Sequence, residues 1–142
     1  MCHQVWLDIS QKKVSMPPRE STIALTKLAA GAVIEKLGSD LIAIDLSGQM
    51  VLNEVFLIAS ARNERQVEAI ADEVERVLTT SGEKPARKEM TANWVLLDYS
   101  DLVVHIQSEE VRRYYMLDRL WNDCPRIDLE IPNLRKSEAH EE

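Results

Sequence analysis

Residues 94 to 107 read WVLLDYSDLVVHIQ and set Trp94, Asp98, Tyr99, Asp101 and His105 between two apolar runs. Those residue types serve three chemistries: a metal centre, a catalytic site, or a surface that grips another protein. The metal reading draws on Asp45, Asp98 and Asp101, which fall at the ends of predicted strands, where carboxylates that hold magnesium for nucleotidyl transfer often lie. Such chemistry also needs a cradle for phosphates. The chain has four glycines and no Gly-rich loop, P-loop or Gly-Ser helix start. Turn aspartates commonly cap the local backbone, so Asp98 and Asp101 read better as turn residues or partner contacts than as metal ligands. His105 shares a strand face with Val103 and Gln107, a setting in which a lone histidine is more often hydrogen-bonded within the fold than catalytic. No nucleophile accompanies it: nothing near Cys124 in the sequence would depress its pKa, and Ser60 and Ser100 lie in no nucleophile elbow. Gripping a partner suits Trp94, Trp121, Tyr99, Tyr114 and Tyr115, because Trp and Tyr dominate interface hot spots.

The elements that must position these residues follow from periodicity. Ser21 and Thr22 precede IALTKLAAGAVIEKLG, where Leu25, Leu28, Ala29, Ala32 and Leu37 recur near helical spacing and Gly38 is a stop signal. LIAIDLS (41 to 47) and VFLIAS (55 to 60) read as buried strands. Asn63 with Gln66 resembles a capping box, and Val67, Ile70, Ala71, Val74, Val77 and Leu78 then mark the clearest helix. Lys84 to Lys88 is a basic connector or short edge strand. WVLLDY and DLVVHIQ form a hairpin turning at Asp98 to Asp101. Ser108 caps a last helix that carries Glu109 and Glu110 in its first turn and ends before Pro125. On that helix Trp121 falls on the stripe of Val111, Tyr114 and Leu117, with Met116 and Leu120 nearly opposite, so the helix touches two things. The order helix, strand, strand, helix, hairpin, helix predicts an α/β fold with a mixed β-sheet covered by helices.

Composition narrows the partner. A chain of 142 residues can bury one core without disulfides or metal. No apolar run approaches the roughly 20 residues that cross a bilayer. Two cysteines, Cys2 and Cys124, show no zinc-type spacing and point to a reducing cytoplasm. The net charge of −7 disfavours bare nucleic acid, whose binding needs clustered Lys and Arg, and suits a basic partner. Residues 1–20 read as a flexible N-terminal extension without a secretory signal, with Met16 before Pro17 and Pro18 as an alternative start. The domain is expected over 21–130 and a fraying acidic tail over 131–142.

The stretch WVLLDYSDLVVHIQSEEVRRYYMLDRLW, preceded by VFLIASARNERQVEAIADEVE, resembles the ribosomal silencing factor (Iojap-related) family. That resemblance implies a nucleotidyltransferase-like fold without the catalytic signature, no cofactor, and self-association as a homodimer. It also implies a factor that binds ribosomal protein L fourteen on the large subunit and sterically blocks joining of the small subunit, or that assists large-subunit assembly. Carried over by position, Trp94, Leu97, Asp98, Asp101, His105 and Tyr115 match the partner-binding motif, and Leu120 and Trp121 match as well. Tyr99, within the same stretch, joins the expected partner surface. Trp94 and Leu97 are expected to supply a buried anchor and the two aspartates to steer. Ser100 and Gln107 depart from frequent Gly and Phe; Ser100 argues against a left-handed turn residue there. The runner-up function is a magnesium-dependent nucleotidyltransferase using Asp45, Asp98 and Asp101.

Overall fold

Alternate residues of a strand share a face, so the register of a sheet decides which of its side chains meet. The computed structural model describes residues 18–48 and 53–130. The expectations for the N-terminal extension up to residue 17 and for the tail from 131 lie outside the described residues. The described chain runs α1 (Glu20–Glu35), β1 (Ser39–Asp45), β2 (Val55–Ala61), α2 (Glu64–Thr80), β3 (Arg87–Thr91), β4 (Trp94–Asp98), β5 (Leu102–Ser108), α3 (Glu109–Tyr115) and α4 (Leu117–Leu120). The strands form one sheet in the order β1-β2-β5-β4-β3. β2 and β5 are parallel, and the other neighbours are antiparallel. This is the mixed α/β sheet that the sequence predicts, with its hairpin; the edge strand lies at Arg87–Thr91, and most of the Lys84 to Lys88 segment is the connector leading into it. The edge strand β3 is exposed throughout, and its Arg87, Lys88 and Glu89 discourage pairing with another sheet edge.

One face of the sheet carries the main core. Leu57 and Ala59 of β2, Val104 and Ile106 of β5, and Leu97 and Val95 of β4 stand in register across it. Ala29, Ala30 and Val33 of α1 and Val67, Ile70, Val74 and Leu78 of α2 cover them. Helix α2 buries the predicted stripe. Its start is set by Asn63, whose Oδ1 accepts from the Gln66 backbone N–H at 2.9 Å. The Gln66 side chain accepts in turn from the Arg62 N–H and donates to the Lys36 and Leu37 carbonyls, so it also satisfies the end of α1.

Helix α1 departs from its predicted stripe. It buries Thr22, Thr26, Ala29, Ala30, Ala32 and Val33, residues small enough for the helix to lie close to its neighbours, while Leu28 is exposed. Leu37 is exposed beyond the helix end and holds the left-handed conformation there (φ 65°). Gly38 serves packing instead: a Cβ at that position would sit 2.5 Å from Val33 Cγ1.

The other face carries Phe56, Ile58 and Ser60 of β2 beside Val103, His105 and Gln107 of β5, then Asp98, Leu96 and Trp94 of β4. Its β1–β2 half is closed by a small cluster in which Ile44, Leu46, Ile58 and Cys124 pack with Ile42, Phe56, Leu117 and Trp121. The final segment is stitched to β1 by the Asp45 N–H to the Pro125 carbonyl and the Ile127 N–H to the Ala43 carbonyl.

The single last helix is a correction. Ser108 caps it as expected, its Oγ accepting from the Val111 N–H, but the helix stops at Met116, which is left-handed (φ 51°). The break turns α4 so that Leu117 and Trp121 reach the sheet, and their burial offsets a backbone cost of about 1 kcal/mol. Trp121 therefore shares no stripe with Tyr114, which is exposed. Ser100 is a second correction: it adopts φ 75°, held by its N–H donating to Asp98 Oδ1. The side-chain hydrogen bond lets a serine do what a glycine does by freedom alone.

Replacing Asn63 with Ala should lower the unfolding free energy by about 1 kcal/mol, the usual worth of an N-cap. An unchanged urea midpoint at constant m-value would show that the cap contributes nothing.

Candidate functional site

The β4–β5 register brings Trp94 and His105 together, although eleven positions separate them. Trp94 pairs with Gln107, and its indole lies over the next residue on that face. The indole N–H donates to His105 Nδ1 at 3.3 Å. The ring of Tyr115 lies 5.0 Å from that of Trp94, and Tyr114 stands edge-on to Tyr115 at 4.9 Å. On the other side of His105, Phe56 meets its ring at 4.7 Å and in turn meets Trp121 at 6.1 Å, both edge-on. Six rings thus form one row across the sheet, wet at the Tyr114 end and dry in the middle.

The row has an apolar ledge at its wet end. Tyr114 is 77% exposed and Tyr115 53%, with the following Met116 also exposed; Leu120, 69% exposed, lies on α4. Arg112 beneath them is buried. Its Nη1 donates to Ser60 Oγ at 2.8 Å, and its Nε lies 3.5 Å from Asp118. Burial pulls its pKa below the ordinary arginine value, against Asp118 and Asp40, which favour the charge.

His105 is only 4% exposed, and burial pushes its pKa down to about 4. The imidazole is therefore neutral near pH 7, with its Nδ1 lone pair engaged by the indole. Its Nε2 has no hydrogen-bond partner among the described residues. A base this weak, with no nucleophile in reach among the described residues, does not serve as a general base. Cys124 is no substitute, since burial and the nearby Asp123 and Asp45 raise its thiol pKa.

Asp98 and Asp101 lie at the far end of the hairpin and are held locally. Asp98 Oδ1 caps the Ser100 N–H, and Arg87 stands 3.8 Å from the other oxygen. Asp101 pairs with Arg19, which also binds Glu54. Burial raises the Glu54 pKa, but the Arg19 backbone N–H, the Thr22 hydroxyl and the Arg19 charge together hold it below the usual range. Arg19 had been assigned to the N-terminal extension on sequence grounds, yet here it clasps the start of α1 to the hairpin turn. Asp45 is turned to its own Ser47, whose N–H and Oγ both donate to Oδ1. It sits on β1, three strands from β4. The three aspartates do not converge, and among the described residues no group of three His, Cys, Asp or Glu could hold a metal ion.

Two expected partner contacts are corrected by this placement. Leu97 is fully buried and Tyr99 nearly so, both in the core beneath the helices, on the face opposite Trp94. One residue of offset along a strand reverses the face, so Trp94 and Leu97 cannot form one anchor. Burial raises the Tyr99 phenol to about 12, with Glu75 adding to the effect. Among the residues of the row, the sequence gives no pointer to Phe56. Phe56 gave no signal inside an apolar run, because its place beside His105 depends on a parallel register that periodicity does not report.

The model of the family described as "Ribosomal silencing factor during starvation" matches residues 19–142. The chain belongs to the ribosomal silencing factor family. It is 38% identical over 108 residues to the ribosomal silencing factor of Halalkalibacterium halodurans, covering 75% of this chain and 92% of the relative. It is 36% identical over 110 residues to that of Bacillus subtilis, covering 76% and 93%. A crystal structure of a Chromobacterium violaceum protein, 34% identical, superposes with a TM-score of 0.68 over 70% of this chain and 84% of that one. A Bacillus halodurans structure, 36% identical, gives 0.66 over 74% and 97%.

The buried imidazole makes stability depend on pH. Its unfolded pKa is near 6.5 and its folded pKa is about 4, so between those values the unfolded chain takes up a proton that the fold refuses. Stability should fall as pH drops through that window, by roughly 3 kcal/mol when complete, and this loss is absent above pH 6.5. In urea unfolding from pH 7 to pH 4, wild type should lose this much more than His105→Phe; parallel curves for the two proteins would contradict the assignment.

Proposed function

We propose that this protein represses translation by binding the large ribosomal subunit through the Trp94 face of its sheet and excluding the small subunit. The observation that carries the reading is the Trp94–Tyr115 ring pair, with the exposed Tyr114 beside it. These rings are exposed or partly so and continuous with a buried row that fixes their positions; Leu120 adds an exposed apolar side chain on α4. Large exposed aromatics on a rigid sheet are what interface hot spots are made of, and family membership gives the reading its direction. The proposed partner is ribosomal protein L fourteen. A protein with net charge −7 suits a basic ribosomal protein better than ribosomal RNA, so little direct nucleic-acid contact is proposed.

The revised partner surface comprises Trp94, Tyr115 and Leu120 as direct contacts. Trp121 and His105 support them from beneath, and Asp98 and Asp101 contribute charge at the far end of the hairpin. Both carboxylates keep some exposure beside their arginine partners, so they can steer a basic surface without being buried by it. The protein works without cofactor or catalysis, in the cytoplasm, and its free form is a homodimer. No helix of the described residues is long and apolar enough to cross a membrane. A nucleotidyltransferase reaction through Asp45, Asp98 and Asp101 is disfavoured by their separation. A role in large-subunit assembly would use the same surface.

Truncating a hot-spot aromatic costs at least about 2 kcal/mol, so Trp94→Ala should weaken binding to isolated large subunits about thirtyfold. In sedimentation of mixed subunits, wild type should ride with the large subunit and suppress joined ribosomes, more tightly at low salt. The mutant should do neither. A folded Trp94→Ala protein that binds and suppresses like wild type would remove this face from the interface.

A further inference from the structure

We propose that His105 is a positioning residue for docking: its Nδ1, accepting the Trp94 indole N–H, holds the indole in the one orientation that presents it to the partner. The inference rests on the reading of Trp94 as a docking residue and adds what fixes it. An indole has a single polar atom, a donor. At a partly buried strand position, that donor ends in water, in a partner, or on an acceptor supplied by the fold. Here the acceptor comes from the neighbouring strand at 3.3 Å, two residues along from the Trp94–Gln107 pair and so on the same face.

The acceptor has its own support. Phe56 presses on one side of the imidazole at 4.7 Å, and the ring is almost wholly out of solvent. His105 therefore does not have the freedom of a surface side chain. Its low proton affinity keeps the Nδ1 lone pair available at neutral pH, where a solvated histidine would be partly protonated and unable to accept. Tyr115 closes the other side of the indole at 5.0 Å, leaving it little room to turn. The consequence is preorganisation. A partner meeting an indole already in place loses less side-chain freedom on binding than one that must order it.

Two substitutions separate this role from packing. His105→Phe keeps the ring and the contact with Phe56 but removes the acceptor. His105→Asn loses the ring but places a carbonyl oxygen near the Nδ1 position. The readouts are affinity for purified large subunits and the Trp94 indole N–H resonance with its exchange rate, assigned by its disappearance in Trp94→Phe. His105→Phe should bind about fivefold more weakly, the worth of one neutral hydrogen bond near 1 kcal/mol. Its indole N–H should shift and exchange faster, and His105→Asn should recover most of both.

If His105→Phe binds like wild type while Trp94→Ala is weakened, the positioning role is overturned and the docking face stands. If His105→Phe and His105→Asn are equally weak with an unmoved indole resonance, His105 only packs, and the proposal again fails. If Trp94→Ala itself binds normally, the docking reading is lost and this one with it.

Discussion

The pairing of β5 between β2 and β4 is the constraint from which the rest of the structure follows. β5 is buried along its whole length, so each of its side chains must find room on one of two crowded faces. Leu102, Val104 and Ile106 go to the helices without difficulty. Val103, His105 and Gln107 go to the other face, where the chain has a short C-terminal cover rather than a pair of full helices. The polar groups of His105 and Gln107 are brought out of water by this alternation, and the rings of Phe56 and Trp94 are brought to either side of His105. The aromatic row is thus a product of register before it is a property of any one residue.

The second face is covered unevenly, and this gives the molecule its asymmetry. Over β1 and β2, Leu117, Trp121 and Cys124 seal the sheet. Over β4, the cover among the described residues is Tyr115 against Trp94, and α3 leaves Tyr114 in solvent. The left-handed Met116 is the joint between the two regimes. Had the helix continued past it, the stripe of Tyr114 and Trp121 would have faced one way, and the ledge and the seal could not both exist.

Much of this was legible in the sequence because it is local. The Asn63–Gln66 cap, the stripe of α2, the hairpin around Asp98 to Asp101 and the Ser108 cap each depend on residues within a few positions of one another. What was not legible depends on pairs far apart. The sequence shows Trp94 and Leu97 as near neighbours with suitable side chains, but an offset of three along a strand puts them on opposite faces, and only one can meet a partner. Arg19 looked like part of a loose extension because its partners, Glu54 and Asp101, are 35 and 82 residues away. Ser100 misled for a different reason: its left-handed backbone is secured by the Asp98 side chain, so residue type alone pointed the wrong way. Helix α1 misled through its leucines, since the close approach made by its alanines and threonines mattered more than its hydrophobicity.

The Gln66 side chain, noted above for closing the end of α1, also governs how the helical layer opens. Its amide donates to the Lys36 and Leu37 carbonyls just past α1 while its oxygen takes the N–H just before α2. The last turn of one helix and the first of the other therefore share a single set of bonds. Neither end can fray without releasing its neighbour, which makes the pair one cooperative unit in local unfolding rather than two. The sheet face bearing Trp94 is thus backed by two helices whose adjoining ends are tied through one side chain.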